Sequence, residues 1–369
     1  RGMNNRTFRA TTILTPTDTS FCSLRNAIRP ETWQAINQLL AEHAVAEEMI
    51  TGDSLRVDTT ACETNIHYPT DSSLLWDVYR TIARLLKASR KIDASLSAGR
   101  RLHKKQAKRL YAEIHRTVGK HTKAVDLKPR YEALLRLVER ILNMGRQVAM
   151  GLRLSTEVGT SAASSLADEI CRYVILGERV VDQTKRRVLQ GESVPNDEKL
   201  FSIFEPHTEL LKRGKAGKPI EFGHMVSFAQ TSEKFITDYE AFEKKPVEYT
   251  LVDGILDRHS TLFGTPPTTF AADKGFYESA AKLAELEKRI DVVAIGKKGK
   301  RTPSEDAREH SLAFKLGQAF RSGIEGTISF VKRTLRLHRC FNTGWKHFAA
   351  TVGATVFAYN LLTLARDTG

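Results

Sequence analysis

LRVDTTACETNIHYPTDSS, Leu55 to Ser73, begins as a strand and then stops being one. Leu55, Val57, Thr59 and Ala61 alternate with Arg56, Asp58 and Thr60, the period-2 pattern of a β-strand. An unpaired carboxylate in a buried strand is costly. Asp58 therefore requires a base beside it, a metal ion, or a wet position at a sheet edge. A dense polar run, Glu63 to Ser73, follows at once. The sequence on either side decides between these options and sets the fold.

Working outward, residues 1–20 are polar and read as loop, and residues 31–49 read as an amphipathic helix with Pro30 at its start. The opening Arg-Gly-Met is read as part of an incomplete N-terminal segment. From about Ser72 to Leu200 the strand signal disappears. RYEALLRLVERILNMGRQVAM has Leu134, Leu137, Ile141 and Met144 at helical spacing, and the neighbouring helices are strongly basic. After Pro206 strands return in KPIEFGHMVSFAQT and KFITDYEAF, preceded by LLKRGKAGKP, which reads as a glycine-spaced basic loop. A helix over about Leu251–Leu262, the strand TTFAAD ending at Asp273, a helix over Tyr277–Lys288 and the strand DVVAIG come next. The basic loop KKGKRTPSEDARE leads into long helices over Ser311–Leu337 and Trp345–Arg366.

This alternation predicts an α/β protein whose mixed sheet is flanked by helices. The strand at Asp58 joins the later strands in one sheet, and an all-α block interrupts it. The predicted organisation is an N-terminal helical segment at 1–52, the first part of a core at 53–72, a basic all-α insertion at 73–204, and the rest of the core at 205–369.

Composition narrows the partners. The 369-residue chain is 41% hydrophobic and carries a net charge of +14, which attracts polyanions, nucleic acid foremost and a membrane surface second. The four cysteines, Cys22, Cys62, Cys171 and Cys340, lie far apart, which excludes a zinc ribbon and a disulfide framework and suits a reducing cytosol. Phe348 to Ala365 is uncharged and long enough to cross a bilayer, but its threonines, Asn360 and Gly353 mark it as a core helix. No membrane partner is expected.

Ligand sites in open α/β sheets lie beyond the carboxyl ends of strands. Asp273 stands at such an end and Asp58 near another. A third acid, Glu325, lies in FRSGIEGTISFVKRTLRLHR within a basic stripe of Arg321, Lys332, Arg336 and Arg339, beside an apolar seam. Taken alone, Arg321 and Glu325 are an ordinary i,i+4 ion pair. Asp253 and Asp257, four apart on a helix, read as solvent-facing acids.

Together these residues resemble the DDE set of bacterial insertion-sequence transposases. RSGIEGTISFVK matches the R-x3-E-x6-K part of their Y-x2-R-x3-E-x6-K signature, and DTT and AADKGFY are similar to the same family. DTTACETNIHYPTDSSLLWD and the helical insertion after it resemble one subgroup. Gln318 stands where the signature has Tyr. The resemblance runs from about Glu31 to the C-terminus.

It implies a ribonuclease-H-like core, with Asp58, Asp273 and Glu325 as catalytic residues and metal ligands. Two Mg²⁺ ions, with Mn²⁺ as a substitute, would sit there, since Mg²⁺ favours carboxylate oxygens and water. Arg321, Lys332, Lys274 and Arg336 would contact DNA, as would the run Glu63, Thr64, Asn65 and His67 unless it orders the strand. The implied activity is cleavage at transposon ends and transfer of the 3′ hydroxyl into target DNA. It would be carried out on double-stranded terminal inverted repeats by a homodimer or larger assembly, in the bacterial cytoplasm at the nucleoid. The competing expectation is a decayed or truncated copy that only binds DNA.

Overall fold

The computed structural model describes residues 27–97, 99, 101–118, 126–154, 160–215 and 218–367. The loop expected at residues 1–20 lies outside the described residues. Strand β1, Ser54–Thr64, runs through the middle of a seven-stranded mixed sheet. Both its faces are covered, which is why Arg56 and Thr60 are as buried as Leu55 and Val57. β1 is thus not an outer strand, and the Asp58 side chain is only 16% exposed.

On one side β1 pairs antiparallel with β3, Lys218–Thr231, from Leu55↔Thr231 to Glu63↔Gly223. Gly223 is required there, because a Cβ would collide with the Cys62 carbonyl oxygen. β3 also pairs with β2, Glu209–Lys215, and with β4, Ile236–Phe242. β2 occupies most of the segment expected to be a basic loop. Leu211 is its buried anchor, and pairing with β3 overrides the weak local signal.

On its other side β1 pairs in parallel with β5, Thr269–Ala272, over Ser54–Arg56. Further along, on Glu63 and Thr64, it pairs in parallel with β7, Arg339–Cys340. β6, Val292–Ile295, extends the sheet beyond β5. Between the end of β5 and the start of β7 no strand ladder among the described residues covers that edge of β1. The sheet opens there, next to Asp58.

Helices close both faces. Leu55 and Val57 pack with α6, Val252–Phe263, and α7, Ala280–Leu286. Helix α8, Pro303–His310, replaces part of the expected second basic loop, held by a capping box between Thr302 and Glu305. The opposite face meets α9, Leu312–Ser322, α10, Ile324–Arg333, and α11, Trp345–Asp367. The single helix expected over Ser311–Leu337 is therefore two, broken at Gly323.

Among the described residues one helix, Trp345–Arg366, is long and apolar enough to cross a membrane by composition. Here it packs on β4 and on α1, Pro30–Ala46, which begins at Pro30 as its sequence suggested. Asn360, fully buried in α11, accepts from Ile236 N at 2.9 Å and donates to Ile236 O at 2.8 Å. Asn360→Ala would leave both strand groups buried and unpaired, so a loss of about 2 to 4 kcal/mol is expected in chemical denaturation.

Between β1 and β2 lie α2, Asp71–Ser89, α3, Lys104–Val118, α4, Lys128–Leu154, and α5, Thr160–Thr184. Leu74, Leu75, Val78, Ile82, Leu85 and Leu86 recur at helical spacing on α2 and share one apolar cluster with Leu134, Val138, Ile141, Ile170 and Val174. The polar run after β1 is the entry to this block. Thr70 caps α2 with Ser73, Thr64 bonds Thr208 at 2.8 Å, and His67 sits 3.3 Å from buried Asp77.

Candidate active site

Asp58 and Asp273 meet because β1 and β5 are parallel neighbours. The register Ser54↔Thr269 to Arg56↔Ala271, continued two residues, sets Asp58 beside Asp273. Each carboxylate is tied to its own backbone. Asp58 Oδ1 accepts from Thr59 N at 2.7 Å, and Asp273 Oδ1 accepts from Gly275 N at 2.7 Å, capping the 3₁₀ turn Lys274–Phe276. The Asp58 carboxyl is pushed up from 3.8 to about 6. Burial is the chief cause and Asp273 adds to it, the Thr59 N–H and Arg321 oppose it, and Glu248 raises it further.

That shift has a measurable sign. The folded-state value lies above the unfolded one, so the folded protein binds the extra proton. The resulting stabilisation is full below pH 3.8 and is lost as pH rises through about 6. In EDTA, Asp58→Asn is expected to match wild type near pH 4 and to exceed it at pH 8 by up to about 3 kcal/mol. Melting curves of both proteins across that window check it.

The third element arrives from α9 and α10. Gln318, at the signature's Tyr position, donates to Ala294 O at 2.6 Å and Ala272 O at 3.2 Å, anchoring α9 to the ends of β5 and β6. Buried Arg56 donates to Gln230 at 2.6 and 2.9 Å and to Phe320 O at 2.9 Å, and its guanidinium stacks 4.8 Å above the Phe320 ring. The helix breaks at Gly323, where a Cβ would collide with that guanidinium. The break opens a fresh N-terminus, and Glu325 stands in the first turn of α10, where an acid is favoured. Arg321 bridges the two parts, 3.6 Å from Asp58 Oδ2 and 3.0 Å from Glu325 Oε1.

The structure therefore brings Asp58 and Asp273 together and joins Glu325 to them through Arg321. Among the described residues no three acids, histidines or cysteines converge at metal-ligating distance. Glu325 points outward, with 65% of its side chain exposed, whereas Asp58 is 16% exposed. Asp58 faces the Arg321 guanidinium, Asp273 lies beside Asp58, and Glu325 reaches the same guanidinium; carboxylate oxygens are the ligand type a hard divalent cation favours.

The remaining candidates are spread around this centre. Lys332 lies on the α10 side near Cys62. Lys274 is exposed and turns toward Gly296 and Glu309. Arg336 is exposed beyond α10 at a φ of 61°. Glu63 pairs with Arg339 at 2.7 Å and Thr64 bonds Thr208 at 2.8 Å at the end of β1, while Asn65 and His67 are exposed, His67 beside Asp77. Burial drives the Cys62 thiol far above its ordinary range, which makes it a poor nucleophile. Asp253 and Asp257 are exposed on α6, Asp253 in ion pairs with Lys282 and Arg289.

One acid at the centre escaped the sequence reading. Glu248 begins a 3₁₀ turn, Glu248–Leu251, in a stretch with no period and no motif. Its carboxylate accepts from the Thr59 hydroxyl. Only the folding of the β4–α6 connection over the strand ends brings it there.

Compared with protein-family models, curated proteins and solved structures, the chain has no significant match.

Proposed function

We propose that this chain is a DDE-class transposase with a ribonuclease-H-like core. It hydrolyses a phosphodiester at each end of a mobile DNA element and joins the freed 3′ hydroxyl to target DNA. The observation that carries this reading is the pair Asp58 and Asp273, side by side where β5 ends against the middle of β1, with Glu325 linked to Asp58 through Arg321. Asp58, Asp273 and Glu325 would hold Mg²⁺. When bound, two such ions supply the charge that stabilises the attacking and leaving oxygens of an in-line displacement.

The chain's own groups frame that displacement. A water oxygen attacks phosphorus, the bond from phosphorus to the 3′ oxygen breaks, and the 3′ oxygen leaves with a proton. In transfer, that 3′ hydroxyl attacks a target phosphodiester and displaces a second 3′ oxygen. Arg321 offsets the negative charge of Asp58 and Glu325 and offers a planar donor to phosphate oxygens. Gln318 and Arg56 fix the α9–α10 junction against the strand ends.

Double-stranded DNA is the partner, gripped by a homodimer or larger assembly in the bacterial cytoplasm. Supporting this, α3 buries Ala107, Leu110 and Ile114 and exposes Lys104, Lys105, Lys108, Arg109, His115 and Arg116. Each lysine on a phosphate contributes about 0.9 to the salt dependence of binding. Replacing Lys104, Lys105 and Lys108 by Glu should therefore weaken duplex binding and lower the slope by roughly 2 to 3. Fluorescence anisotropy at several salt concentrations reads both.

The test of the function uses a linear duplex carrying the repeats that flank the gene, with Mg²⁺, Mn²⁺ or EDTA, alongside Glu325→Ala. Metal-dependent nicking at the repeat boundary, lost in the variant, is the expected result. Binding without nicking in both proteins would instead favour a decayed copy.

A further inference from the structure

We infer that Glu248 is a fourth carboxylate of this centre, a positioning residue that joins the strand bearing Asp58 to the turn bearing Asp273. The inference rests on the metal-dependent reading above and deepens it. Glu248 touches the two residues that orient the aspartates. On one side its Oε1 accepts from the Thr59 hydroxyl, and the Thr59 backbone N–H donates to Asp58 Oδ1 at 2.7 Å. On the other side its Oε2 occupies the space above Gly275, where any Cβ would collide with it, and the Gly275 N–H donates to Asp273 Oδ1 at 2.7 Å.

The two clasps share one feature. Each aspartate is held by the backbone amide of a nearby residue, and Glu248 lies against both of those residues. Moving Glu248 would therefore shift Thr59 and Gly275 together and alter the spacing of the two carboxylates. Gly275 belongs to the same arrangement, since only a residue without a side chain leaves Oε2 its place. A further acid beside two aspartates is disfavoured by like charge. A hydroxyl donor on Oε1 offsets part of that cost, which explains why Thr59, and not an aliphatic residue, occupies this buried strand position.

Residues that orient metal-binding carboxylates change metal affinity by about 10- to 100-fold when removed. The experiment measures Mn²⁺ binding to the full chain by electron paramagnetic resonance, with circular dichroism to verify folding. Glu248→Ala should weaken Mn²⁺ binding by about that factor. Glu248→Gln, which keeps an acceptor oxygen for Thr59, should bind close to wild type. Thr59→Val should match Glu248→Ala, Thr59→Ser should restore binding, and the Glu248→Ala, Thr59→Val double variant should be no weaker than either single one.

Wild-type Mn²⁺ affinity in both Glu248→Ala and Thr59→Val would overturn the inference. So would a loss in Glu248→Gln as large as in Glu248→Ala, which would make Glu248 a direct ligand. Should Glu248→Ala fail to fold, the Thr59→Val and Thr59→Ser pair decides alone. Asp58→Asn separates the two levels. If Asp58→Asn loses Mn²⁺ and the Glu248 and Thr59 variants do not, only the positioning role fails. If Asp58→Asn binds Mn²⁺ unchanged, the metal-dependent reading itself fails, and this inference with it.

Discussion

Asp58→Asn and Asp273→Asn are each expected to lower the proposed metal-dependent nicking by at least about a thousandfold, roughly 4 kcal/mol of transition-state stabilisation. Duplex binding stays near wild type in both, because the exposed cations of α3 lie outside this crevice. The size follows from the chemistry. An amide oxygen keeps the shape of a carboxylate but not its charge, and a hard cation between phosphate oxygens needs that charge. Asp58→Asn carries a second signature. Its activity falls while its stability in EDTA at pH 8 rises, because the buried carboxylate is a liability to folding without a cation. A structural aspartate would behave the other way, with stability falling. Single-turnover nicking and thermal melting on the same preparations separate the two cases.

Arg56→Ala is expected to be the most damaging substitution away from the carboxylates. It removes donors to the Gln230 side chain and the Phe320 carbonyl and empties the space that Gly323 leaves for the guanidinium. Burial holds the Arg56 pKa below its usual value, and three of its donors are engaged by neutral acceptors. Both acceptors keep another donor, the Thr327 hydroxyl on Gln230 Oε1 and the Gly323 N–H on the Phe320 carbonyl, so the cost is that of the three lost bonds, about 0.5 to 1.5 kcal/mol each, and of the emptied space. A total of roughly 3 to 5 kcal/mol is expected in urea denaturation, within the range for breaking a buried polar network. Gln230 also bonds Thr327 and Tyr359, so the damage reaches α10 and α11. The α9–α10 junction would loosen, and Arg321 and Glu325 with it. Nicking should fall further than the melting temperature alone explains when assayed well below that temperature. Arg56→Lys, which keeps the charge but loses the planar fork, should recover little.

Much of the centre was legible in the sequence because its residues sit on elements with strong local patterns. β1 announced itself by alternation, β5 by a short apolar run ending in Asp273, and Glu325 by its spacing from Arg321 and Lys332. The all-α character of the block after β1 was equally plain, since its helices carry apolar stripes that recur over many turns. What stayed hidden had weak local patterns. β2 read as a loop because its glycine and lysines give no strand signal, and only the ladder with β3 makes it a strand. The break at Gly323 was invisible because glycine is tolerated inside helices, and the Arg56 guanidinium that needs a residue without a Cβ there lies 267 positions earlier in the chain.

The sequence by itself determined the residue types, the strand and helix periods, and the order in which three acids and their basic neighbours occur. Those are local properties, carried by spacing along one element. Tertiary structure alone decided that Asp58 lies in a central strand beside Asp273, that Arg321 reaches both Asp58 and Glu325, and that Glu248 meets Thr59 next to them. Each of these depends on register between strands or on a loop folding over their ends. Register is fixed by burying both faces of the sheet at once, a requirement that no single segment contains.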